Sequence, residues 1–544
     1  MSVPHADRSS RFRTSVWLGV IVAAALLLRS LALLAAMHRS PEPWVDPDNY
    51  VAQAVFLAAH GRGWHWDVNA FMYGALVKAP LYPLVLSLFA LFPAGFPLSV
   101  AFMQIAFGTA AVAGLYVIGR DMHSPRAGLI AAAIYALWLP TISLVHFFLQ
   151  EQLHVPLVII GLALFTRAAA RSAGPTPFAL AGVVLGLAAL VRSMPLYYIG
   201  PAALLYVVLV PDRRTAARQA FALVLGFLVV VLPWCVYVSA KTGQLILIDN
   251  MGSAALGVTY REVRPEIHTA PPATVVESLR MVWRAATRDP ARFWGDRVAD
   301  FQRLFRLTGG QWLEFLPPVA SRTEALALKG VAHANDLLFA LSGVLAPLGV
   351  VLARRRREVS LVALWVVLHL GLLVAFAWNG VRYRSPYEPE LIGLAAIVLA
   401  GGWARPRRWA LGLALAASLA IGAAMAGSLP ETAKARASYG FKEWLPVGGV
   451  QQASIVGEAG FRMLTGGRAV NLRLSSVRST PPEAPVRVRV FLDGREVDRV
   501  TVDASDRLLR YVWTPPVAFV ELRATFENSQ RPAPLLVDVV TPPR

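Results

Sequence analysis

The chain has 544 residues, 56% of them hydrophobic and only 16% charged, with a net charge of +19. An ordinary soluble domain is roughly 25% charged, so this composition excludes a disordered chain, a coiled coil and an ordinary cytosolic enzyme. The single cysteine, Cys235, excludes an intramolecular disulfide. The basic balance leaves two readings: nucleic-acid binding, or a polytopic membrane protein with its arginines on one side.

A bilayer core of about 30 Å needs roughly 20 apolar residues per helix. The first run, 16–36, follows Arg8, Arg11 and Arg13. It is longer than the roughly 7–15-residue apolar region of a cleaved signal peptide, so it reads as a retained anchor. Further runs lie near 98–119, 127–149, 153–167, 178–211, 219–240, 337–353, 359–378, 388–403 and 409–428. The run 178–211 is long enough for a hairpin of two short spans with Arg192 near its turn. The expected fold class is therefore mainly α, a polytopic membrane protein of about eleven transmembrane helices.

Short cytoplasmic loops should be rich in Lys and Arg. Segments 1–15, 119–126, 167–177, 211–218, 354–358 and 404–408 together hold 17 basic and 4 acidic residues, whereas 38–79 holds 3 basic and 4 acidic. The alternation puts the N-terminus in the cytoplasm and the C-terminus outside. It accounts for +13 of the +19, so the charge is mostly an orientation signal and nucleic-acid binding recedes. Segment 80–92, PLYPLVLSLFALF, is too short to span and carries two prolines. Counting it as a span would invert every later loop, so it reads as a re-entrant or interfacial helix on the outer face.

Two polar pieces also face outward. Loop 241–336 should be helical over 274–306, with Arg280, Arg284 and Arg288 on one face and Val276, Leu279 and Trp283 on another. From about 468 the tail alternates as strands do, with Asp493-Gly494 as a hairpin turn, and predicts a small β-sandwich. The expected domains are a membrane core, 1–430, with outer loop 38–97 and large loop 241–336, and a β-rich domain, 431–544.

Several residues could carry chemistry. Asp46 and Asp48 flank Pro47 just beyond the first span. A carboxylate pair there suits a general base or a metal ligand, and a solvated acidic loop is the competing reading. Lys78, which opens KAPLYP, suits a lipid phosphate or interfacial snorkelling. Arg29 lies inside the first span, where a charge needs a cavity, a partner or a snorkelling path. Glu151 and Arg192 stand at outer ends of spans. Arg382 and Arg384, two apart in RYRSPYEPE, suit phosphate recognition or headgroup contact. His65, between Trp64 and Trp66, reads first as part of an interfacial aromatic belt. Histidine spacing gives no zinc site.

The order of DPDNYVAQAVFLAAHGRG, KAPLYPLVLSLFALF, FLQEQLHVPL, GVVLGLAALVRSMPL and RYRSPYEPELIGLAAI resembles the GT-C membrane glycosyltransferases. It is most similar to their ArnT-like and protein-mannosyltransferase (glycosyltransferase family 39) branch, over roughly residues 15–430. The resemblance implies a polyprenyl-phosphate-linked sugar as donor, a hydroxyl-bearing acceptor (lipid, glycan or protein), and inversion at the sugar carbon. Asp46, four residues before Tyr50, inherits the role of general base, with Asp48 the alternative because Pro47 departs from the family's acidic pair. Lys78, Arg192, Arg382 and Arg384 would serve the donor phosphate, and Tyr50, Tyr82, Glu151, Arg29 and His65 the pocket. GT-C branches differ in metal dependence, so a divalent metal is left open, and no other cofactor is implied. The bilayer would be the inner membrane and the outer face periplasmic.

Three other classes compete. A transporter or flippase of lipid-linked substrates would carry similar buried charges, but many such proteins show internal repeats, and none is found. An O-antigen ligase or polymerase is a nearer rival. A sensor or scaffold acting through the tail gives no reason for the charges around loop 38–79.

Overall fold

The computed structural model describes residues 8–39, 43–46, 48, 50–59, 68–73, 76–92, 95–250, 275–307, 322–375, 381–402 and 407–427, and in the tail 438–441, 445–447, 450–464, 469–476, 486–492, 495–502, 507–512, 519–525 and 533–540. The chain divides into two compact units. One comprises Met1–Leu34, Trp44–Arg306 and Leu337–Gly427; the other comprises Ala35–Pro43, Leu307–Asp336 and Ser428–Arg544.

The helical part opens with α1 (Arg8–Arg39) and the short α2 (Tyr50–Ala59). A 3-10 turn, Val68–Phe71, leads into a two-residue ribbon, β1 (Met72–Tyr73) against β2 (Leu76–Val77). Next come α3 (Leu81–Ala90), α4 (Phe96–Met122), α5 (Pro125–Ala136), α6 (Leu139–Ser143), α7 (Glu151–Ala170), α8 (Pro175–Val191), α9 (Met194–Leu209) and α10 (Arg213–Thr242). Then follow α11 (Val275–Arg288), α12 (Pro290–Leu304), α13 (Arg322–Leu352), α14 (Arg357–Ala375), a 3-10 turn at Val381–Arg384, α15 (Glu388–Ala400) and α16 (Arg408–Gly427). Local chemistry sets several boundaries. Ser124 accepts the Ala127 N–H ahead of Pro125 at the first position of α5. Asp212 caps α10, and Gly243, at φ +67°, ends it in the left-handed conformation.

Among the described residues, seven helices, α1, α4, α7, α10, α13, α14 and α16, are long and apolar enough to cross a membrane. The protein is thus a multi-pass membrane protein. Exposed Phe221, Val229 and Val236 along α10 suit contact with lipid. The run 178–211 forms the expected pair of short helices, α8 and α9, broken at Arg192, which adopts an extended backbone.

Two of the eleven expected spans are not continuous helices. Run 388–403 is helical only over the 13 residues of α15. Helix α5 stops at Ala136, since Trp138 is extended and Pro140 in a continued helix would clash with the Ala136 carbonyl; the short α6 follows. Backbone without helical hydrogen bonds is tolerated at membrane depth only where protein covers and satisfies it. Here Leu144–Leu149 is buried throughout. Gln104 donates to the Val145 carbonyl (3.0 Å), the Val45 N–H reaches the His146 carbonyl (3.4 Å), and the Phe148 N–H reaches the Val45 carbonyl (2.9 Å). The α3 segment, ten residues at ~1.5 Å each, covers about half a bilayer core.

Helices α8 and α10 touch backbone to backbone. A methyl group at Gly182 would collide with the Leu223 carbonyl, and one at Gly226 with the Ala179 carbonyl. Small residues allow this approach, which supplies dispersion contacts where lipid tails remove the hydrophobic driving force.

The tail contains β3 (Ser438–Phe441), β4 (Leu445–Val447), β5 (Val450–Leu464), β6 (Ala469–Ser476), β7 (Val486–Leu492), β8 (Arg495–Val502), β9 (Arg507–Val512), β10 (Phe519–Thr525) and β11 (Ala533–Val540). The strands confirm the β-rich character expected of the tail. The nine described strands join one antiparallel network, β8-β7-β10-β5-β11-β6-β9, with β3 and β4 also on β5. The 15-residue β5 explains this: its C-terminal half pairs with β10 and its N-terminal half with β11. The expected hairpin is present, since Leu492 pairs with Arg495 across a two-residue connection.

Candidate functional site

Asp46 is held by the start of α2. Its Oδ1 accepts the Tyr50 N–H at 2.8 Å and its Oδ2 the Val51 N–H at 2.7 Å. These are orphan donors of a helix N-terminus, where the dipole also favours an anion. A carboxylate has about four lone-pair sites, so each oxygen keeps capacity for a further proton donor. The residue is half-buried. Burial pushes its carboxyl above the ordinary value and Asp48 adds to the rise. The two helix N–H groups and Lys78 pull the other way without cancelling it.

Lys78 follows β2 directly. Its N–H donates to the Phe71 carbonyl (2.8 Å), its Nζ donates to the Asp48 backbone carbonyl (2.5 Å), and its ammonium lies 4.8 Å from the centre of the Tyr50 ring. Tyr50 meets Tyr82 edge to face at 5.0 Å. The buried Tyr82 hydroxyl donates to Gln104 Oε1 (3.0 Å). Asp46, Asp48, Lys78, Tyr50 and Tyr82 therefore form one cluster, assembled by the first turn of α2, the end of β2 and the first turn of α3.

Glu151 and Arg192 form a second, adjoining cluster. Glu151 begins α7 and Arg192 caps the end of α8, so each helix dipole favours the charge placed there. Arg192 donates to Glu151 at 3.0 Å, both residues are buried, and the guanidinium lies 4.9 Å from the centre of the Tyr383 ring. The Tyr82 hydroxyl is within electrostatic reach of Tyr50, Asp46, Glu151 and Asp48, which links the two clusters.

The remaining candidates lie elsewhere. Arg29 does not snorkel: it is 1% exposed and donates to the Ala25 carbonyl (3.1 Å) and the Thr141 hydroxyl (2.9 Å), bracing the broken segment after α5. Arg384 is equally buried. Its Nε pairs with Glu388 at 2.6 Å, its Nη1 donates to the Arg306 carbonyl at 2.6 Å, and it lies 4.2 Å from the centre of the Phe339 ring. Glu388 in turn accepts from Trp138 Nε1 at 2.8 Å. The Arg382 side chain and all of His65 lie outside the described residues.

Sequence reading missed Gln104, Tyr383, His154 and His369. His154 stands three residues after Glu151 on α7, a spacing that shares a helix face. Its Nδ1 meets the Ala188 carbonyl at 3.0 Å, and both histidines are buried within electrostatic reach of Arg192. Among the described residues, no group of three or more His, Cys, Asp or Glu is placed to hold a metal ion.

Residues 77–237 match the family model of dolichyl-phosphate-mannose-protein mannosyltransferases. This stretch includes Lys78, Tyr82, Glu151 and Arg192 and excludes Asp46 and Asp48. No curated protein matches the chain. Among solved structures, it is similar to the oligosaccharyltransferase AglB from Archaeoglobus fulgidus in complex with an inhibitory peptide and a dolichol-phosphate (14% identity, TM-score 0.44, 77% of this chain and 56% of that one). It is also similar to ArnT from Cupriavidus metallidurans bound to undecaprenyl phosphate (16%, 0.44, 74% and 62%). A third likeness is to the arabinosyltransferase EmbB from Mycobacterium smegmatis (14%, 0.31, 98% and 65%). The chain spans less than two thirds of the length of each of these proteins. The family model covers less than half of the chain, and the branch it describes is the one that the sequence motifs resemble.

Proposed function

We propose that the protein is an inverting membrane glycosyltransferase. It transfers a sugar from a polyprenyl-phosphate donor to a hydroxyl acceptor at the periplasmic face of the inner membrane, with its N-terminus in the cytoplasm and its C-terminus in the periplasm. The observation that carries this reading is the juxtaposition of Asp46 and Lys78 around the first turn of α2, a fixed carboxylate beside a partly exposed ammonium that meets the Asp48 backbone carbonyl and the Tyr50 ring.

Asp46 takes the proton from the acceptor hydroxyl as its oxygen attacks the anomeric carbon. The bond from that carbon to the phosphate oxygen breaks, and lipid phosphate leaves with the electron pair. Lys78 meets the charge developing on that phosphate, with Arg192 as a second cation oriented by Glu151. Preorganised cations are most effective where charge develops and water is excluded. The α2 dipole and its N–H groups favour the ionised form of Asp46 and offset part of the cost of burial.

The test is incubation of the detergent-purified full chain with a panel of undecaprenyl-phosphate sugars and a hydroxyl acceptor, with mass detection of lipid phosphate. The expected result is release coupled to a glycoside of inverted anomeric configuration. A glycoside of retained configuration refutes the single-displacement step.

A further inference from the structure

Lys78 is presented by a strand too short to hold its own position. β1 and β2 have two residues each, and even a full isolated hairpin is marginal in water. The ammonium rides on a flexible four-carbon stem, so its location depends on what fixes the backbone of residues 77 and 78.

That fixation comes from a distant segment. After Gly243 ends α10, the chain folds back along the helix it has just left. The Ser239 hydroxyl donates to the Ile246 carbonyl and accepts the Ile246 N–H, each at 3.0 Å. Trp234 Nε1 donates to the Ile248 carbonyl at 2.8 Å. Ile246 and Ile248 are buried. This strap reaches Asn250, whose Oδ1 accepts the Val77 N–H at 2.7 Å and whose own N–H donates to the Val77 carbonyl at 3.4 Å. Trp234 also packs edge-on against Phe71 at 5.0 Å, and the Phe71 carbonyl accepts the Lys78 N–H. Both backbone polar groups of Val77 are thus engaged by Asn250, and the amide of Lys78 by a residue packed on the strap's anchoring tryptophan.

We infer that Asn250 is a positioning residue for Lys78, locking β2 so that the ammonium stands beside Asp48 and Tyr50 where a lipid phosphate would meet it. The inference rests on the reading of Lys78 as the phosphate-binding cation. It also makes the entry to the large loop 241–336 a determinant of donor affinity: anything that moves Asn250 moves the strand carrying the lysine.

The experiment measures equilibrium binding of undecaprenyl phosphate to the full chain in detergent. The variants are Asn250→Ala, Asn250→Asp, Lys78→Ala and the double variant Asn250→Ala/Lys78→Ala. Asn250→Ala should weaken binding about tenfold, equivalent to about 1.4 kcal/mol. Asn250→Asp keeps the acceptor for the Val77 N–H and should recover most of the affinity. The double variant should bind no more weakly than Lys78→Ala alone, a non-additivity that general loosening of the fold would not produce. Should Asn250→Ala fail to fold, Trp234→Phe, which removes the hydrogen bond to Ile248 and trims the packing on Phe71, must weaken binding in the same direction. Wild-type affinity in Lys78→Ala would refute the phosphate reading itself. Weakened binding in Lys78→Ala with wild-type affinity in Asn250→Ala, or fully additive losses in the double variant, would overturn the role of Asn250 alone.

Discussion

The Lys78 and Arg384 clusters each set a cation against an aromatic ring and a backbone carbonyl, but they differ in burial. Arg384 is 1% exposed and its charge is answered inside the fold by Glu388 at 2.6 Å, with Phe339 and the Arg306 carbonyl completing its surroundings. Lys78 remains partly exposed, and its ammonium meets the Asp48 backbone carbonyl and the Tyr50 ring. Asp46 lies within electrostatic reach of the same ammonium, so the two groups share one partly exposed site. The difference teaches that cations of equal promise in a sequence diverge once their burial is known: one braces the bundle from inside, the other stays within reach of solvent. Arg192 lies between these extremes, paired with Glu151 yet adjoining the Asp46 cluster.

Substitutions sharpen or break this contrast. The largest effect should come from Asp46→Asn, with a loss of about 10²–10⁴-fold in transfer rate if the carboxylate is the general base. The amide still accepts one helix N–H, so the protein should insert and fold. Next, Arg384→Ala should destabilise by about 3–5 kcal/mol, because it leaves Glu388 buried and uncompensated; thermal unfolding measures this, and an unchanged melting temperature would break the contrast. Lys78→Ala should do the reverse, leaving the melting temperature nearly unchanged while donor binding weakens by about 1.5–3 kcal/mol, the range for hydrogen bonds to charged groups.

The pH profile follows from Asp46. Burial raises its carboxyl above the ordinary value of about 3.9. A base must be ionised, so kcat/KM should fall as pH drops through that raised value, with an acid limb above pH ~4. For stability the sign is opposite: the contribution from the raised group is fully present below its unfolded value and is lost as pH rises through the folded one. Acid-induced loss of melting temperature traced to Asp46 would contradict this. The smallest effect should be that of Asp48→Asn, since the backbone carbonyl of Asp48 holds Lys78 and survives the change; an effect equal to that of Asp46→Asn would move the base to Asp48.

Some of this arrangement was legible in the sequence and some was not, for physical reasons. Hydropathy read the long helices and the break at Arg192, because length and composition are local properties. It misread 127–149, where apolar content is continuous but Pro140 and the extended Trp138 interrupt the helix. The signal was the proline, which hydropathy ignores. Asp46 was legible from its position four residues before Tyr50, and its capping contacts follow from that spacing. Arg384 was read as a phosphate ligand although Glu388 stands one helical turn later, a spacing that could have suggested their ion pair. The link between Asn250 and Val77 joins residues 173 positions apart, and no local pattern announces it.

The most direct measurement of the central claim is the rate of lipid phosphate release from an undecaprenyl-phosphate sugar by wild-type protein and by Asp46→Asn, both purified and equally folded. Release by the wild type and a loss of at least about a hundredfold in the variant are expected. Equal rates from the two proteins would contradict that claim.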